Sequence, residues 1–251
     1  MCELFGMSCN SQDRAINILE KFKNYSYAAR DGWGVGYYDD DGNAKWATSD
    51  VEYDAKYDDK FRETIKNAKS NIIIAHLRKA TNGKKCKKNC HPFIQVSNGR
   101  YWIFAHNGKI NGIDIPDEKT DSECAFELII NNIIKCTPSQ EIGINMGVYH
   151  GIIKGIQYIF NEYGRKSNLN FLMSDGTFLY AFHHHDNEDK KMYFVERSKK
   201  IDDVNALLVS NRKELFKGEE CKKMPTDQLL VICNAEILIS SEKLLPEKLV
   251  V

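Results

Sequence analysis

The sequence lacks a net charge and a long apolar run, and each absence excludes a class of function. Thirty-five basic residues balance thirty-five acidic ones in a chain of 251 residues. Because a neutral chain has no overall field that would attract a polyanion, we expect no nucleic acid as a partner. No apolar stretch approaches the ~20 residues of a membrane-spanning helix, so we expect no membrane partner either. The sequence also has no internal repeat and none of the glycine-rich loops that cradle nucleotide phosphates.

A secretion signal is absent too. The first ten residues, MCELFGMSCN, have neither the basic end nor the apolar core of such a signal, so we expect a cytoplasmic protein. Eight cysteines could pair as disulfides, but a cytoplasmic chain of this length does not need such bonds. We therefore expect reduced thiols. A cysteine with a special role should act through the chemistry of its thiol and not through a disulfide.

The composition predicts one globular domain that spans residues 1–251. The chain is 42% hydrophobic and 11% aromatic, and single hydrophobic cores stop growing near ~250 to 300 residues. Apolar residues at helical spacing predict helices over 11–25, 54–69, 120–136 and 138–163. We expect Ser11 to cap the first helix, and Thr120 with Glu123 has capping-box spacing at the third. In the fourth helix, glycines at every fourth position suggest close packing of one face.

Short segments rich in β-branched and aromatic residues predict about ten strands. They are 2–9, 33–38, 71–77, 100–106, 170–173, 177–182, 192–197, 206–209, 229–233 and 236–240. Asp175-Gly176 is a strong hairpin signal, and Asp41-Gly42 and Asn234-Ala235 indicate further turns. Because the helices fall in clusters between runs of strands, the pattern favours a layered α+β fold over a doubly wound parallel sheet.

Cys2 is the most informative single residue. Removal of the initiator Met1 would leave a thiol and a free α-amine on Cys2. A thiol with a pKa of ~8.5 is mostly protonated at neutral pH, whereas an α-amine with a pKa of ~7.7 to 8.0 is partly free to accept its proton. One residue would then supply both the nucleophile and the base. By position alone, a small residue that opens a strand is the simpler interpretation.

Three further segments carry side chains suited to the same chemistry. A predicted buried strand delivers Arg78, whose guanidinium is suited to binding a carboxylate through two parallel hydrogen bonds. Another strand ends at Asn107 and Gly108, whose side-chain and backbone N–H groups can both point at one developing oxyanion. Asp121, at the start of a helix, could bind an ammonium group. A first-turn acid favoured by the helix dipole explains Asp121 equally well.

Six motifs occur in the order and approximate spacing of class II glutamine amidotransferases. They are Cys2, Asp31-Gly-Trp-Gly34, His76-x-Arg-x-x-Thr81, Asn89-Cys-His-Pro-Phe93, His106-Asn-Gly108 and Thr120-Asp-Ser-Glu123. Each motif is weak alone, but the ordered set is specific, and the chain resembles the small stand-alone members from Cys2 to about Cys233. Three later segments also resemble that subgroup, namely 170–176, 195–198 and 208–211.

The resemblance implies a fold and a reaction. The fold is that of the N-terminal-nucleophile hydrolases, a four-layer αββα sandwich with two stacked, mainly antiparallel sheets. In such enzymes the cysteine that matches Cys2 attacks the γ-carboxamide of glutamine, and the resulting thioester is hydrolysed to release glutamate after ammonia has left. Asn107 and Gly108 match the oxyanion hole. The reaction requires no cofactor and no metal.

The resemblance also implies how glutamine is held. Arg78 matches the residue that binds the α-carboxylate, Thr81 matches a further glutamine contact, and Asp121 matches the partner of the α-ammonium. The chain departs from the larger synthases at Lys79 and Asn82, where an aromatic residue and a histidine usually stand. Several functions therefore stay open: a glutaminase that passes ammonia to a separate synthase subunit, a hydrolase of another γ-glutamyl amide or peptide, and an inactive regulatory partner.

A zinc-stabilised, non-enzymatic binding protein is the alternative from a different class. Cys86, Cys90 and His91 have ligand-like spacing, and the histidines at 183–185 with Cys221 could complete a site. A second correctly spaced pair is missing, and at most alternate rings of the histidine run can share a face of a strand. The amidotransferase interpretation explains more of the sequence.

Overall fold

The computed structural model describes residues 2–50, 58–80, 83–116, 118–137, 146–185, 187, 190–198 and 205–245. Within these ranges the chain forms four α-helices: α1 Ile16–Phe22, α2 Asp59–Asn67, α3 Asp121–Cys136 and α4 Met146–Tyr163. It also forms thirteen strands: β1 Glu3–Asp13, β2 Trp33–Tyr38, β3 Ala44–Ser49, β4 Ser70–Leu77, β5 Phe93–Ser97, β6 Arg100–Lys109, β7 Asn168–Ser174, β8 Leu179–Phe182, β9 Tyr193–Ser198, β10 Asn205–Ser210, β11 Lys222–Lys223, β12 Leu229–Cys233 and β13 Glu236–Ser240.

The strands build two antiparallel sheets. The seven-stranded sheet has the order β11-β9-β10-β1-β4-β2-β3, and the six-stranded sheet has the order β13-β12-β8-β7-β6-β5. β1 lies in the middle of the first sheet, paired with β10 on one side and β4 on the other. None of the helices in the described part of the chain has the length and hydrophobicity that a membrane span requires.

Three buried apolar clusters separate four layers. One cluster lies between the two sheets, one between the first sheet and the helices α1 and α2, and one between the second sheet and α3 and α4. Large side chains of these clusters are Leu4 and Leu172 in the first, Trp33 and Phe61 in the second, and Phe104 and Phe126 in the third. Burying a side chain of this size contributes about 1.5 to 3 kcal/mol. The order helix, sheet, sheet, helix confirms the predicted α+β class and the αββα sandwich.

The helix pair α3 and α4 packs closely through glycine. A Cβ atom on Gly151 would lie 2.5 Å from the Cα of Ile133, and one on Gly155 would lie 2.8 Å from the Cα of Ile129. Both distances are shorter than a carbon contact allows, so the helices can approach this closely only because these positions carry no side chain. The prediction of a close-packed glycine face is confirmed at Gly151 and Gly155; Gly143 lies outside the described residues.

Two predicted helix starts need correction. Ser11 does not cap α1, because β1 continues to Asp13 and α1 begins at Ile16. The carboxylate of Asp13 accepts the backbone N–H of Arg14 at 2.6 Å, which stabilises the turn between strand and helix. The second helix begins at Asp59 with Asp58 as its cap, and residues 51–57 lie outside the described part.

The third and fourth helices agree better with the sequence pattern. Thr120 caps α3 as predicted, and its side-chain oxygen accepts the N–H of Glu123 at 3.2 Å. The described part of α4 begins at Met146, and residues 138–145 of the predicted helix lie outside it. Ten strands lie within two residues of their predicted starts, whereas β3, β5 and β11 were not predicted.

Candidate active site

Cys2 lies directly before β1, at the end of the central strand of the first sheet. The pairing of β1 with β4 aligns Glu3 with Leu77, which brings Cys2 beside the residues that follow β4. The half-buried Sγ of Cys2 accepts the backbone N–H of Lys79 at 3.2 Å. Desolvation raises the pKa of the Cys2 thiol, although the hydrogen bond from Lys79 opposes the rise. A thiol in this environment stays protonated at neutral pH unless a base takes its proton.

Asn107 approaches Cys2 from the other sheet. It lies near the end of β6, and its Nδ2 donates a hydrogen bond to the backbone carbonyl oxygen of Cys2 at 2.7 Å. The next residue, Gly108, has no room for a side chain, because a Cβ there would lie 2.0 Å from the carbonyl oxygen of Asn168 and 2.5 Å from Nε2 of His106. The two predicted oxyanion-hole residues and the predicted nucleophile are therefore brought together where the sheets meet.

Arg78 follows β4 and is buried, with 4% of its surface exposed. Its Nη2 donates to the carbonyl oxygen of Lys84 at 3.1 Å. Two backbone hydrogen bonds with the 31–32 segment hold its main chain: Arg78 N–H to the Gly32 carbonyl at 2.7 Å, and Asp31 N–H to the Arg78 carbonyl at 2.9 Å. A guanidinium fixed in this way is suited to binding a carboxylate.

Asp31 supports this arginine, a role that sequence analysis did not assign. Its carboxylate accepts the backbone N–H of Ala80 at 2.8 Å and forms an ion pair with Lys85 at 2.6 Å. Desolvation alone would raise the pKa of the Asp31 carboxyl, but the hydrogen bonds from Lys85 and Ala80 hold the pKa below its ordinary value. Asp31 therefore stays ionised and fixes the turn that carries Arg78, Lys79 and Ala80.

Asp121 lies at the first position of α3 and is buried. Its Oδ2 accepts the backbone N–H of Ile110 at 2.9 Å, which leaves the carboxylate facing the same cavity as Cys2. Thr81, the remaining predicted substrate contact, lies outside the described residues.

Of the predicted site residues that the structure describes, Cys2, Arg78, Gly108 and Asp121 line one small cavity, and the amide of Asn107 is turned to the Cys2 carbonyl. The cavity is lined by Cys2, Arg78, Lys79, Ala80, Asn89, His91, His106, Gly108, Thr120, Asp121 and Ser122. Its volume is about 30 Å³, which is room for about two water molecules. Two larger hollows of about 360 and 450 Å³ lie elsewhere and contain none of the predicted site residues.

A family model described as class II glutamine amidotransferases matches residues 1–240. The chain belongs to this family. The resemblance predicted from the sequence motifs is thereby confirmed.

Two curated relatives cover most of the chain. An uncharacterised protein of Methanocaldococcus jannaschii is 28% identical over 97% of this chain and 72% of its own length. A protein of Haemophilus influenzae that is provisionally named a glutamine amidotransferase is 29% identical over 72% of this chain and 62% of its own length.

Solved structures support the amidotransferase fold. The crystal structure of a predicted glutamine amidotransferase from Pseudomonas aeruginosa covers 95% of this chain with a TM-score of 0.68 and 22% identity. An allosteric regulatory enzyme of purine biosynthesis covers 97% of it with a TM-score of 0.70 and 16% identity, and the match takes up 49% of that enzyme's chain. At these identities the likeness concerns the fold alone.

Three buried histidines surround the amidotransferase site. Nδ1 of His91 and Nε2 of His76 lie 3.2 Å apart. His106 contacts the Ser122 hydroxyl through Nδ1 at 2.8 Å and the Asn168 carbonyl through Nε2 at 3.0 Å. Since a carbonyl can only accept, Nε2 of His106 carries the proton. Burial lowers the pKa of His76 to about 3 and lowers the pKa of His91 and His106 as well, so the rings are neutral near neutral pH.

A second network holds β1, the strand that follows Cys2, from the β10 side. Asn211 accepts the N–H of Leu4 at 2.6 Å and donates to the Cys2 carbonyl at 3.3 Å. The same amide donates to the carboxylate of Glu3 at 2.9 Å, and Arg212 binds that fully buried carboxylate with two nitrogens. Sequence analysis noted the 208–211 segment but assigned it no function.

Cys90, one of the cysteines considered as a zinc ligand, has another partner. Sγ of Cys90 donates to the carbonyl oxygen of Ser49 at 3.3 Å, and burial raises the pKa of the Cys90 thiol to about 11. His91, the third residue of that motif, faces His76 and the amidotransferase cavity instead.

The histidine run is engaged elsewhere in the amidotransferase. Nδ1 of His183 lies 2.7 Å from Oδ1 of Asn170, and Nδ1 of His184 lies 2.5 Å from Oδ1 of Asp227. Among the described residues, no group of three or more histidines, cysteines or acids is placed to hold a metal ion. The candidate ligands, Cys221 included, do not converge.

Proposed function

We propose that this amidotransferase hydrolyses the γ-amide of glutamine through a thioester on Cys2, and that it acts after Met1 has been removed. The observation that supports this most strongly is that the Cys2 thiol, the Arg78 guanidinium and the Asp121 carboxylate line one cavity. A nucleophile, a cation and an anion in that arrangement complement an amino acid with a reactive side-chain amide. Hydrolysis of another γ-glutamyl amide or peptide is the alternative within the same chemistry.

The α-amine of Cys2 supplies the base in this proposal. It takes the thiol proton, and the thiolate adds to the amide carbon. The carbonyl oxygen becomes negative and is stabilised by the N–H groups of Asn107 and Gly108. The C–N bond then breaks, and the ammonium of Cys2 returns the proton to the departing ammonia. Water hydrolyses the thioester, which releases glutamate and restores the thiol.

The remaining residues hold the amino-acid end of the substrate. Arg78 binds the α-carboxylate through two parallel hydrogen bonds, and Asp121 binds the α-ammonium. Thr81 completes the set as a further contact. Fixed geometry of this kind removes much of the entropic cost of bringing the amide to the thiol.

A separate synthase subunit is the proposed acceptor of the ammonia. The matched region makes up 49% of the solved enzyme of purine biosynthesis, which supports the idea that this domain works beside a second one. Co-purification of a synthase with the chain, tagged at its C-terminus so that residue 2 stays free, tests the partner separately from the hydrolysis.

Product analysis tests the proposal directly. Protein whose intact mass shows that Met1 is absent should release glutamate from glutamine or from a member of a small γ-glutamyl panel. The same protein carrying a non-cleavable extension before Cys2 should be inactive, because the α-amine is then an amide and cannot act as a base. Activity in protein that retains Met1 would contradict the mechanism, and no release from any substrate would contradict the function.

Replacement of Arg78 by lysine is expected to weaken substrate binding more than turnover. A lysine keeps the charge but cannot form two parallel hydrogen bonds with a carboxylate, so KM for glutamine should rise about tenfold or more with a smaller change in kcat. Steady-state kinetics of glutamate release measure both values. Arg62→Lys, the same change on the exposed surface of α2, is the control and should change neither. An unchanged KM in the Arg78 variant would argue against the carboxylate contact.

A further inference from the structure

Asn89 is a buried polar residue of the cavity that the proposed reaction does not use. It ends a short 3-10 turn, Lys87–Asn89, and 2% of its surface is exposed. Its side chain lines the cavity that also contains Cys2, Arg78 and Asp121. A buried amide in such a place needs partners for both ends of its side chain.

The orientation of the Asn89 amide follows from one hydrogen bond. Nδ2 donates to the carbonyl oxygen of Lys84 at 3.0 Å. Because a carbonyl accepts and never donates, the NH₂ end must face Lys84, and the oxygen end must face away from it. Within the described part of the chain Oδ1 is buried and has no hydrogen-bond partner. A buried acceptor left unsatisfied is costly, so this atom is suited to a donor that arrives with a ligand.

Two neighbours define the position of Asn89 relative to the proposed substrate. Nη2 of Arg78 donates to the same Lys84 carbonyl at 3.1 Å, so the guanidinium and the amide lie side by side. A Cβ built on Gly83 would lie 3.1 Å from Nδ2 of Asn89 and 3.1 Å from Cγ2 of Thr120, so the amide also lies beside the residue that caps α3. The side-chain amide of Asn89 therefore lies near both Arg78 and the start of α3, where Asp121 is located.

We propose that Oδ1 of Asn89 accepts a hydrogen bond from the α-ammonium of the substrate, as a second acceptor beside Asp121. The inference rests on the proposed function, in which Arg78 holds the α-carboxylate. The α-carboxylate and the α-ammonium are attached to the same carbon, so an acceptor that lies near both Arg78 and Asp121 is within reach of the ammonium. An ammonium has three N–H donors and can satisfy both acceptors. The pair selects γ-glutamyl compounds whose α-amine is free over those that lack it.

Binding measurements in the Cys2→Ala background test this without turnover. Calorimetric titration compares L-glutamine with glutaramate, which is glutamine without its α-amine. Asn89→Leu should weaken glutamine binding about tenfold or more, since a hydrogen bond to a charged group is lost, and should leave glutaramate binding unchanged. Asn89→Asp should retain glutamine binding, because a carboxylate still accepts from an ammonium. Asn131→Leu, the same change at an exposed position of α3, should alter neither affinity.

Several outcomes would overturn the inference. Equal weakening of glutamine and glutaramate in Asn89→Leu would mean that Asn89 acts through Lys84 on the shape of the cavity. A loss in Asn89→Asp as large as in Asn89→Leu would assign the effect to the Nδ2 hydrogen bond, because aspartate keeps an acceptor but loses that donor. Failure of the parent Cys2→Ala protein to bind glutamine would refute the proposed function, and the inference with it. Thermal unfolding of each variant identifies a failure to fold.

Discussion

Replacement of Cys2 by alanine is expected to abolish glutamate release while the protein stays folded. In the proposed mechanism the Cys2 thiol attacks the amide carbon, so the variant lacks the nucleophile, and substrate binding cannot replace it. The structural cost is small, because among the described residues the half-buried thiol forms hydrogen bonds only with the backbone of Lys79. Glutamate release measured over hours, with circular dichroism and thermal unfolding of the same sample, checks both parts.

Cys136→Ala is the matched control for this variant. Cys136 is another half-buried free cysteine, at the end of α3 and outside the cavity. Its replacement should leave the rate unchanged. Both variants should unfold within about 4 °C of the parent, which corresponds to about 1 kcal/mol for a chain of this size. Full activity of Cys2→Ala would refute the nucleophile, and loss of activity in both variants would point to a general effect of losing thiols.

Most strands could be predicted from the sequence, because strands that bury one or both faces are rich in β-branched and aromatic residues. β2, β12 and β13 have the bounds that their β-branched and aromatic residues predict. β5 was missed although Asn98-Gly99 separates it from β6, and both turn residues have positive φ, at 51° and 70°. Asn-Gly is the strongest short hairpin signal, so the information was present in the sequence.

β3 is a different case. Its sequence, Ala44–Ser49, has little apolar alternation, and it forms the edge of the first sheet beside β2. The exposed Trp46 lies on this strand. The strand exists because Asp41-Gly42 turns the chain back onto β2, a tertiary contact that propensity alone does not report.

The part of the candidate site that could be predicted from the sequence consists of residues at the ends of strands. Arg78 and Asn107 follow or end buried strands, so their positions at a sheet edge are a consequence of local pattern. The order of the motifs, through the family resemblance, further predicted that Arg78 and Asn107 belong to one site, and therefore that the two sheet edges lie close together. Spacing could not show that Asn107 reaches the carbonyl of Cys2, because that contact depends on how the two sheets stack.

The network around Glu3 lay beyond sequence analysis for the same reason. Glu3 and Arg212 are brought together by the pairing of β1 with β10, two strands from opposite ends of the chain. One signal was available. Glu3 opens a strand whose neighbours are apolar, and a carboxylate in a buried strand requires a cationic partner. The identity of that partner required the strand order.

Replacement of Asn107 by alanine is expected to lower kcat about 100-fold or more. Its Nδ2 lies 2.7 Å from the Cys2 carbonyl oxygen, which places an N–H donor next to the proposed nucleophile. An amide NH₂ has two hydrogens, so one can stay on the Cys2 carbonyl while the other stabilises the oxyanion. Removal of one such donor typically costs about 100- to 1,000-fold in kcat, because a fixed donor is lost at the point where negative charge develops. KM should change much less. Single-turnover and steady-state rates of glutamate release measure the loss.

Asn211→Ala separates this electrostatic role from simple positioning of Cys2. Asn211 also donates to the Cys2 carbonyl, at 3.3 Å, and in addition accepts the N–H of Leu4 at 2.6 Å. Its removal therefore loosens the main chain of the nucleophile at least as much as removal of Asn107. If Asn107 acts by stabilising charge, its variant must lose more kcat than the Asn211 variant. An equal or larger loss in Asn211→Ala would show that Asn107 only holds Cys2 in place, and the oxyanion would then need a different donor.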